Sequence, residues 1–97
     1  MFFRKLSGNC ILAGSIKSIR VTANRKGDKM AFAAITNGNG EIDAVFFSRV
    51  WKMARIKKIR KRLRPGKIVE LRGFIPEQKR KGADPCFIVT YIRAIGM

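Results

Sequence analysis

Histidine is absent from this sequence of 97 residues, and several other residue types are scarce. Only six residues are acidic, two are cysteine and three are proline. Without histidine, two cysteines cannot form a zinc site of the usual kind. Six scattered acids do not provide the carboxylate cluster of a metal-dependent nuclease, and no apolar run approaches the ~20 residues of a membrane span. We therefore expect a protein that is not an enzyme, needs no cofactor or metal, and does not enter a membrane.

The start of the chain and its cysteines bear on the compartment. "MFFRKLSGN" lacks the charged-then-apolar order of a secretory signal, so we expect a cytoplasmic protein. Cys10 and Cys86 each begin an apolar run. Reduced, buried thiols fit that position and compartment, and a disulfide between the two cysteines stays open.

Positive charge is what the sequence has in excess. Lys and Arg together number 22, which gives a formal net charge of +16. So much like charge opposes compaction unless a polyanion neutralises it, and nucleic acid is the most common such partner. An anionic membrane surface is the second interpretation, and a basic surface kept for solubility is the third.

Apolar periodicity predicts five strands and one helix in one small domain of residues 1–97. The predicted elements are a strand in "CILAGSIKSIRV" (10–21), two hairpin strands in 29–47, a helix over 48–64, and strands in "KIVELRGFIP" (67–76) and "CFIVTYIRAI" (86–95). Residues 1–9 form an N-terminal extension. Three strands, a helix and two more strands is the order of an OB-fold, an all-β Greek-key barrel.

Two local signals support the strand assignment. The alternation of apolar residues in the first strand changes phase near Lys17 and Ser18, which predicts a β-bulge, and Gly14 allows a sharp bend. "NGNG" (37–40) contains two Asn-Gly pairs, the strongest short signal for a hairpin turn. Both strands of this hairpin carry apolar residues on both faces, so the pattern alone does not say which face is the core.

The segment "SRVWKMARIKKIRKRLR" (48–64) has a helical pattern and nine cations without an acid. Ser48 can cap its start, and Pro65-Gly66 stops it. We expect Val50, Ala54 and Leu63 to plug one end of the barrel. The remaining cations then form a secondary basic surface that comprises Lys57, Lys58, Arg60, Lys61 and Arg62.

Four blocks of the sequence resemble a known family. They are, in order, "AGSIKSIRV", "RKGDKMAF", "NGNGEIDAVFF" and "PGKIVELRG". The set is similar to the OB-fold module of the bacterial replicative DNA polymerase alpha subunit and, more distantly, to the anticodon-binding domain of class II aminoacyl-tRNA synthetases. The resemblance covers about residues 10–95 and includes no catalytic domain. Asn37 departs from the aspartate usual in these families, and the predicted helix is longer and more basic.

The resemblance implies an answer to the question of the two hairpin faces. Ala31, Ala33 and Ile35 would point into the barrel with Ile42, Ala44 and Phe46, and small side chains suit a narrow interior. Phe32 and Ala34 would point outward with Met30, Asp43, Val45 and Phe47. An outward ring stacks on a base and contributes ~1–3 kcal/mol per base. The alternatives are that the helix or the N-terminal segment covers Phe32, or that a register shift places it in the core.

The same resemblance implies a set of binding residues around this outward face. Arg20 is a candidate for contact with a phosphate or a base edge, and two basic loops would line the groove. Asp43 would accept from a base amino group or pair with Arg20, and we expect the pair. The predicted nucleic-acid-binding residues are Arg20, Arg25, Lys26, Lys29, Phe32, Phe47, Phe74, Lys79, Arg80 and Lys81.

Together these observations predict a non-catalytic protein that binds single-stranded nucleic acid. We expect single-stranded DNA as the partner and a role accessory to replication, recombination or repair, because the nearer resemblance is to a replication module. RNA or ribosome binding is the first alternative. A protein–protein adaptor is the second. A second copy of the chain or a replication protein would be a further partner.

Overall fold

The computed structural model describes residues 3–6, 9–38, 40–76 and 86–96. Six strands, one α-helix and one short 3-10 helix make up this part of the chain. In chain order they are β1 (Phe3–Leu6), β2 (Asn9–Ala23), β3 (Lys29–Thr36), β4 (Glu41–Phe46), α1 (Ser48–Ile56), the 3-10 helix η1 (Arg60–Arg62), β5 (Ile68–Phe74) and β6 (Cys86–Gly96).

Five of the strands close into a barrel. The pairing runs β2–β3–β4–β6–β5 and returns to β2, with β4 and β6 parallel and every other pair antiparallel. The predicted five-stranded barrel with a helix between its third and fourth strands is therefore confirmed. The N-terminal extension contains a sixth strand that is not predicted from the sequence, since β1 forms a hairpin with the first residues of β2. Four residues are too few for alternation to reveal such a strand.

The long strand β2 pairs with several other strands because it contains a β-bulge and a glycine. Its first half pairs with β5 and its second half with β3. The register shifts between Ile16 and Ser18, where the sequence predicts the bulge. A β-carbon at Gly14 would lie 2.8 Å from the carbonyl oxygen of Thr36, so a larger residue would push β3 away. Gly14 thus allows β2 to lie close to β3 at this point.

The core lies inside the barrel and confirms the predicted inward side chains of the hairpin, whereas Met30 and Val45, which are expected on the outer face, are also buried. Ala31, Ala33, Ile35 and Ala44 are all fully buried, and Ile42 is 7% exposed. The larger side chains that fill the remaining volume come from the other barrel strands, β2, β4, β5 and β6: Leu12, Ile16, Phe46, Val69, Leu71, Phe87 and Val89. The three buried alanines of the hairpin, with their small side chains, fit the narrow interior of a five-stranded barrel.

Helix α1 covers one end of the barrel, chiefly through Trp51 and Ala54, which are buried. The Trp51 ring meets Phe46 edge-on, with 6.0 Å between ring centroids. Leu63, beyond the helix, is buried in the same core, and Val50 packs at its edge. The predicted plug is thus correct in location, with Trp51 as its largest member.

The predicted length of the helix is wrong, because α1 ends at Ile56 and not at Arg64. The amide of Ile59 donates to the carbonyl of Ala54, and the amide of Lys58 donates to that of Arg55. These two bonds form a Schellman motif, in which Lys58 takes the left-handed conformation, with φ of 59°. The break lets Ala54 and Leu63, which lie on either side of it, both reach the core. The predicted Ser48 cap is also wrong, since Phe47 is the N-cap residue and makes no side-chain capping bond.

Candidate nucleic-acid interface

One row of side chains crosses the outer surface of all five barrel strands. The strand registers join Arg20 to Phe32, Phe32 to Val45, Val45 to Ile88 and Ile88 to Phe74. On each strand at least one adjacent residue belongs to the core or packs against it, so these five side chains point away from it. We call Arg20, Phe32, Val45, Ile88 and Phe74 the outer row.

Exposure changes along the outer row. Phe32 is half-buried and Phe74 is 39% exposed, whereas Val45 between them is only 5% exposed. Three strand spacings separate the two rings, which is about 14 Å around the barrel. The row therefore has an aromatic ring on each side of the aliphatic side chains of Val45 and Ile88. Flat, partly apolar groups such as bases can lie on such a surface.

The guanidinium of Arg20 lies over the Phe32 ring, with 5.1 Å from Cζ to the ring centroid. Such a cation–π contact contributes about 0.5–1 kcal/mol at an exposed site. A guanidinium is itself flat and stacks on bases while its nitrogens donate to phosphate. Arg20 and Phe32 thus present a stacking surface and a positive charge in the same place, as the sequence predicts for each of them separately.

Beside the outer row runs a second row of small side chains. It consists of Ser18, Ala34, Asp43 and Cys86 in register on four strands. Asp43 is exposed, and the ion pairs within the described residues are Lys17–Glu41 and Arg93–Glu70. The expected pair between Asp43 and Arg20 is therefore wrong, because Arg20 is in register with Phe32, one row away. Both cysteines are free thiols, with Cys10 buried and Cys86 half-buried.

The turn between β2 and β3 holds the first group of predicted cations. The Asn24 side-chain oxygen accepts from the backbone amides of Lys26, at 2.9 Å, and Asp28, at 3.0 Å. Gly27 has φ of +85°, a conformation that glycine adopts without strain. Arg25, Lys26 and Lys29 are all exposed around this ordered turn.

The second predicted basic loop falls outside the described residues. Lys79, Arg80 and Lys81 belong to residues 77–85, which the structure does not describe. Their proposed contact with nucleic acid stays a prediction. Phe74, the last residue of β5, is described and belongs to the outer row.

Phe47 lies in a different place from the one the alternation of β4 predicts. The strand ends at Phe46, and Phe47 lines a groove between α1 and β6 together with Met53 and Tyr91. Phe47 is 48% exposed and Tyr91 is 50% exposed. The Nζ atom of Lys57 lies 5.0 Å from the Tyr91 ring centroid. Phe47 is thus an exposed aromatic, but outside the outer row.

The five cations of the predicted secondary basic surface do not form one projecting helical turn, because the helix ends before most of them. Lys58 and Lys61 are exposed. Arg62 donates from Nη2 to the carbonyl oxygen of Ile95 at 2.7 Å, which ties η1 to β6. Arg60 is half-buried and lies over the Trp51 ring, with 4.4 Å from Cζ to the centroid. Arg60 and Arg62 thus hold the backbone after α1 in place in addition to carrying charge.

The predicted binding residues do not include Val45 or Ile88, although both belong to the outer row. The resemblance places Val45 on the outer surface, but its position between Phe32 and Ile88 depends on the parallel pairing of β4 with β6. That pairing joins distant segments of the chain. A signal was present in the β6 sequence, where Phe87 and Val89 share one parity and Ile88 the other.

A comparison with protein families agrees with this geometry. Residues 10–95 match the family model described as an OB-fold nucleic acid binding domain, of the tRNA anticodon type. The chain belongs to this family. A comparison with curated proteins gave no match. The predicted resemblance to OB-fold domains is thereby confirmed over nearly all of the barrel.

Membership of the OB-fold family implies nucleic-acid binding. In OB-folds, ligands lie on the face of the second and third barrel strands and between the loops that flank it. Here those strands are β3 and β4, so the family's usual binding face coincides with the outer row and the β2–β3 turn. Neither helix in the described part of the chain has the length and hydrophobicity needed to cross a bilayer.

Proposed function

We propose that this OB-fold protein binds single-stranded DNA without catalysing a reaction, in a role accessory to replication, recombination or repair. The observation that carries the proposal is the Arg20–Phe32 pair, which places a charged stacking surface on the family's binding face. A duplex keeps its bases stacked on each other, whereas a single strand leaves them free to lie on protein rings. The proposal therefore follows from the type of side chain that the outer row presents.

The binding mechanism divides the ligand between two groups of residues. Bases stack on Phe32 and Arg20, and Phe74 provides a second ring farther around the barrel. Phosphates lie against two groups of cations. The first group is in the β2–β3 turn and consists of Arg25, Lys26 and Lys29. The second group is the predicted loop cations Lys79, Arg80 and Lys81. The secondary basic surface adds affinity that does not depend on sequence. Each neutralised phosphate releases counterions, so the log–log slope of affinity against salt is about −0.7 per phosphate.

The central experiment replaces Phe32 and leaves the charge unchanged. Phe32→Ala is expected to weaken binding to a single-stranded DNA oligonucleotide about 5- to 150-fold, because a stacked base contributes ~1–3 kcal/mol. Fluorescence polarisation of a labelled oligonucleotide at fixed salt measures this change. The salt slope should stay as in the wild type, since no cation is removed.

Ile68→Ala is the matched control for this experiment. Ile68 is 52% exposed on β5 and lies outside the outer row, so its removal takes away exposed apolar surface without touching the proposed site. Its affinity should equal that of the wild type. If Phe32→Ala also binds as the wild type does, the outer row is not the site. An adaptor that binds protein through the α1–β6 groove of Phe47, Met53 and Tyr91 would then be favoured.

RNA is the second candidate ligand, and the family match favours it, because the matching model is of the tRNA anticodon type. DNA is proposed first because the resemblance to the replicative polymerase module is the nearer one. Competition between DNA and RNA oligonucleotides of equal sequence and length decides between them. Preferential displacement of labelled DNA by RNA would overturn the choice of DNA and keep the outer row as the site.

A further inference from the structure

A basic concavity that contains no residue of the outer row lies between the β2–β3 turn and helix α1. It has a volume of 810 Å³, and we call it the turn–helix cleft. Its cationic lining residues are Lys29, Arg49, Lys52, Arg55 and Arg60. Asp28 is the one acid among the residues that line it in the described part of the chain. Five cations and one acid around one open space make a site of strongly positive potential.

The helix side of the cleft is built from regularly spaced cations. Arg49, Lys52 and Arg55 follow each other at intervals of three, so they lie along one side of α1. Like charges at this spacing repel and destabilise a helix, and α1 has no acid in its first turn to compensate. An anion in the cleft would remove that repulsion.

Arg60 forms the inner wall of the cleft and is held in place by Trp51. Its Nη2 donates to the Trp51 carbonyl oxygen at 3.1 Å, and its guanidinium lies over the Trp51 ring. The Nε atom is buried and has no hydrogen-bond partner within the described residues. Burial, and secondarily the charge of Arg55, lower the pKa of Arg60 from its ordinary value. A positive group held in this way, next to another one, is stabilised by a bound anion.

The cleft adjoins the proposed path of the bound nucleic-acid strand. Lys29 lines the cleft and is the first residue of β3, the strand that carries Phe32. Three residues of extended chain separate them, which is about 10 Å. Because side chains alternate along β3, those of Lys29 and Phe32 leave the strand on opposite faces. A nucleic-acid strand whose base stacks on Phe32 therefore reaches the cleft by passing the β2–β3 turn, at the end of β3 where Lys29 lies.

We propose that the turn–helix cleft binds phosphate groups of the nucleic-acid backbone, next to the row on which the bases stack. This inference rests on the proposed function for the identity of the ligand, although the anion site itself does not. Lys52, Arg55 and Arg60 contact the phosphates from the helix side, and Lys29 contacts them from the turn. Because the cleft presents cations and no aromatic ring, it contributes affinity without base preference.

The first test compares two lengths of single-stranded oligothymidylate, about 4 and about 16 nucleotides, which span the site sizes of OB-folds. The double variant Lys52→Gln, Arg55→Gln removes two cations from the cleft. Its control, Arg64→Gln with Lys67→Gln, removes the same charge from residues that do not line the cleft. Circular dichroism establishes that both variants are folded.

We expect the cleft variant to bind the longer oligonucleotide at least fivefold more weakly than the control does. The magnitude of its log–log salt slope should be smaller than that of the control by about 1.4, which is 0.7 for each of two phosphates. The short oligonucleotide fills only the outer row, so the affinities of the two variants for it should differ by less than about twofold. Equal affinity of cleft variant and control for the longer oligonucleotide would overturn the inference. Phe32→Ala should weaken both lengths, and its failure to do so would refute the proposed function instead.

The second test uses a ligand without bases. Trp51 is the one tryptophan in the chain and lies under Arg60, so its fluorescence reports on anions in the cleft. Inorganic tripolyphosphate at constant ionic strength should change Trp51 emission in the wild type and in Phe32→Ala, but not in the cleft variant. No change in the wild type would refute an anion site. A response to tripolyphosphate without the loss of long-oligonucleotide affinity would assign the cleft to a free phosphate compound and overturn its role in holding the strand.

Discussion

The two faces of the β3–β4 hairpin use the same backbone for different purposes. The inner face carries Ala31, Ala33 and Ala44, which are fully buried, and the outer face carries Phe32 and the exposed Asp43. The usual arrangement of large apolar residues inside and small or polar residues outside is thus partly reversed. A narrow barrel limits the volume available inside, so alanine is the side chain that fits there. Stability and binding are therefore assigned to alternating residues, and single substitutions should separate them.

The largest expected effect is a loss of stability, and it appears when two adjacent phenylalanines at the end of β4 are compared. Phe46 is fully buried against Trp51, so Phe46→Ala should lower the free energy of unfolding by about 3–5 kcal/mol. Phe47→Ala should lower it by about 1 kcal/mol or less, because its side chain is already half in water. Urea unfolding followed by circular dichroism measures both. Similar losses in the two variants would mean that Phe47 is packed as tightly as Phe46. If Phe46→Ala does not fold, Phe46→Leu provides the milder comparison.

A smaller effect is expected from the same substitution at neighbouring positions of β3. Ala33→Leu adds volume to a filled interior and should destabilise the fold by about 1–3 kcal/mol. Ala34→Leu places the same side chain on the outer face, where surface changes are usually within about 0.5 kcal/mol. Thermal unfolding gives the two stabilities. Equal destabilisation by both would show that the two faces do not differ as described.

The smallest effect sharpens the description of the outer face. Arg20→Gln should weaken binding of single-stranded DNA by about two- to fivefold, because it removes a guanidinium that can stack on a base, and an exposed cation–π contact of that kind contributes about 0.5–1 kcal/mol. The salt slope should fall by about 0.7 if Arg20 neutralises one phosphate. Arg20→Lys keeps the charge and should restore the slope. A slope equal to that of the wild type in Arg20→Gln would limit Arg20 to holding the Phe32 ring. Salt-dependent polarisation titrations distinguish these results.

The barrel and the direction of its side chains were predictable because they depend on local patterns. Alternation along β3 and β4, two Asn-Gly pairs and the phase change near Lys17 are all short-range signals, and the resemblance to OB-fold modules chose between the two hairpin faces. These signals and the resemblance predict that Phe32 points outward and that Arg20 is a binding residue beside the same face. Their contact with each other required the register of β2 on β3.

The end of the helix was not predictable from the same signals. A helix that terminates in a Schellman motif usually carries glycine at the left-handed position, and here that position holds Lys58. The apolar residues continue beyond it, so periodicity extended the helix to the next proline and glycine. The cause of the break lies in tertiary packing, since Trp51, Ala54 and Leu63 are all buried only if the backbone turns between them.

The outer row and the turn–helix cleft show a second limit of sequence reasoning. Val45, Ile88 and Phe74 come into line through β4–β6 and β5–β6 pairing, and the cleft joins a turn to a helix. Both depend on contacts between segments far apart in sequence. Cations are so common in this chain that composition alone does not say which of them share a space.

The position of β6 in the barrel has a consequence for how the protein forms in the cell. This strand pairs with β4 on one edge and with β5 on the other, so it completes two of the five seams. A nascent chain that has emerged only as far as β5 presents two unsatisfied strand edges together with a large positive charge. Closure must wait until the ribosome has released β6, and folding that depends on such long-range pairing is slow. Until β6 has emerged and paired, the growing chain is thus exposed to premature association with RNA and with other strands.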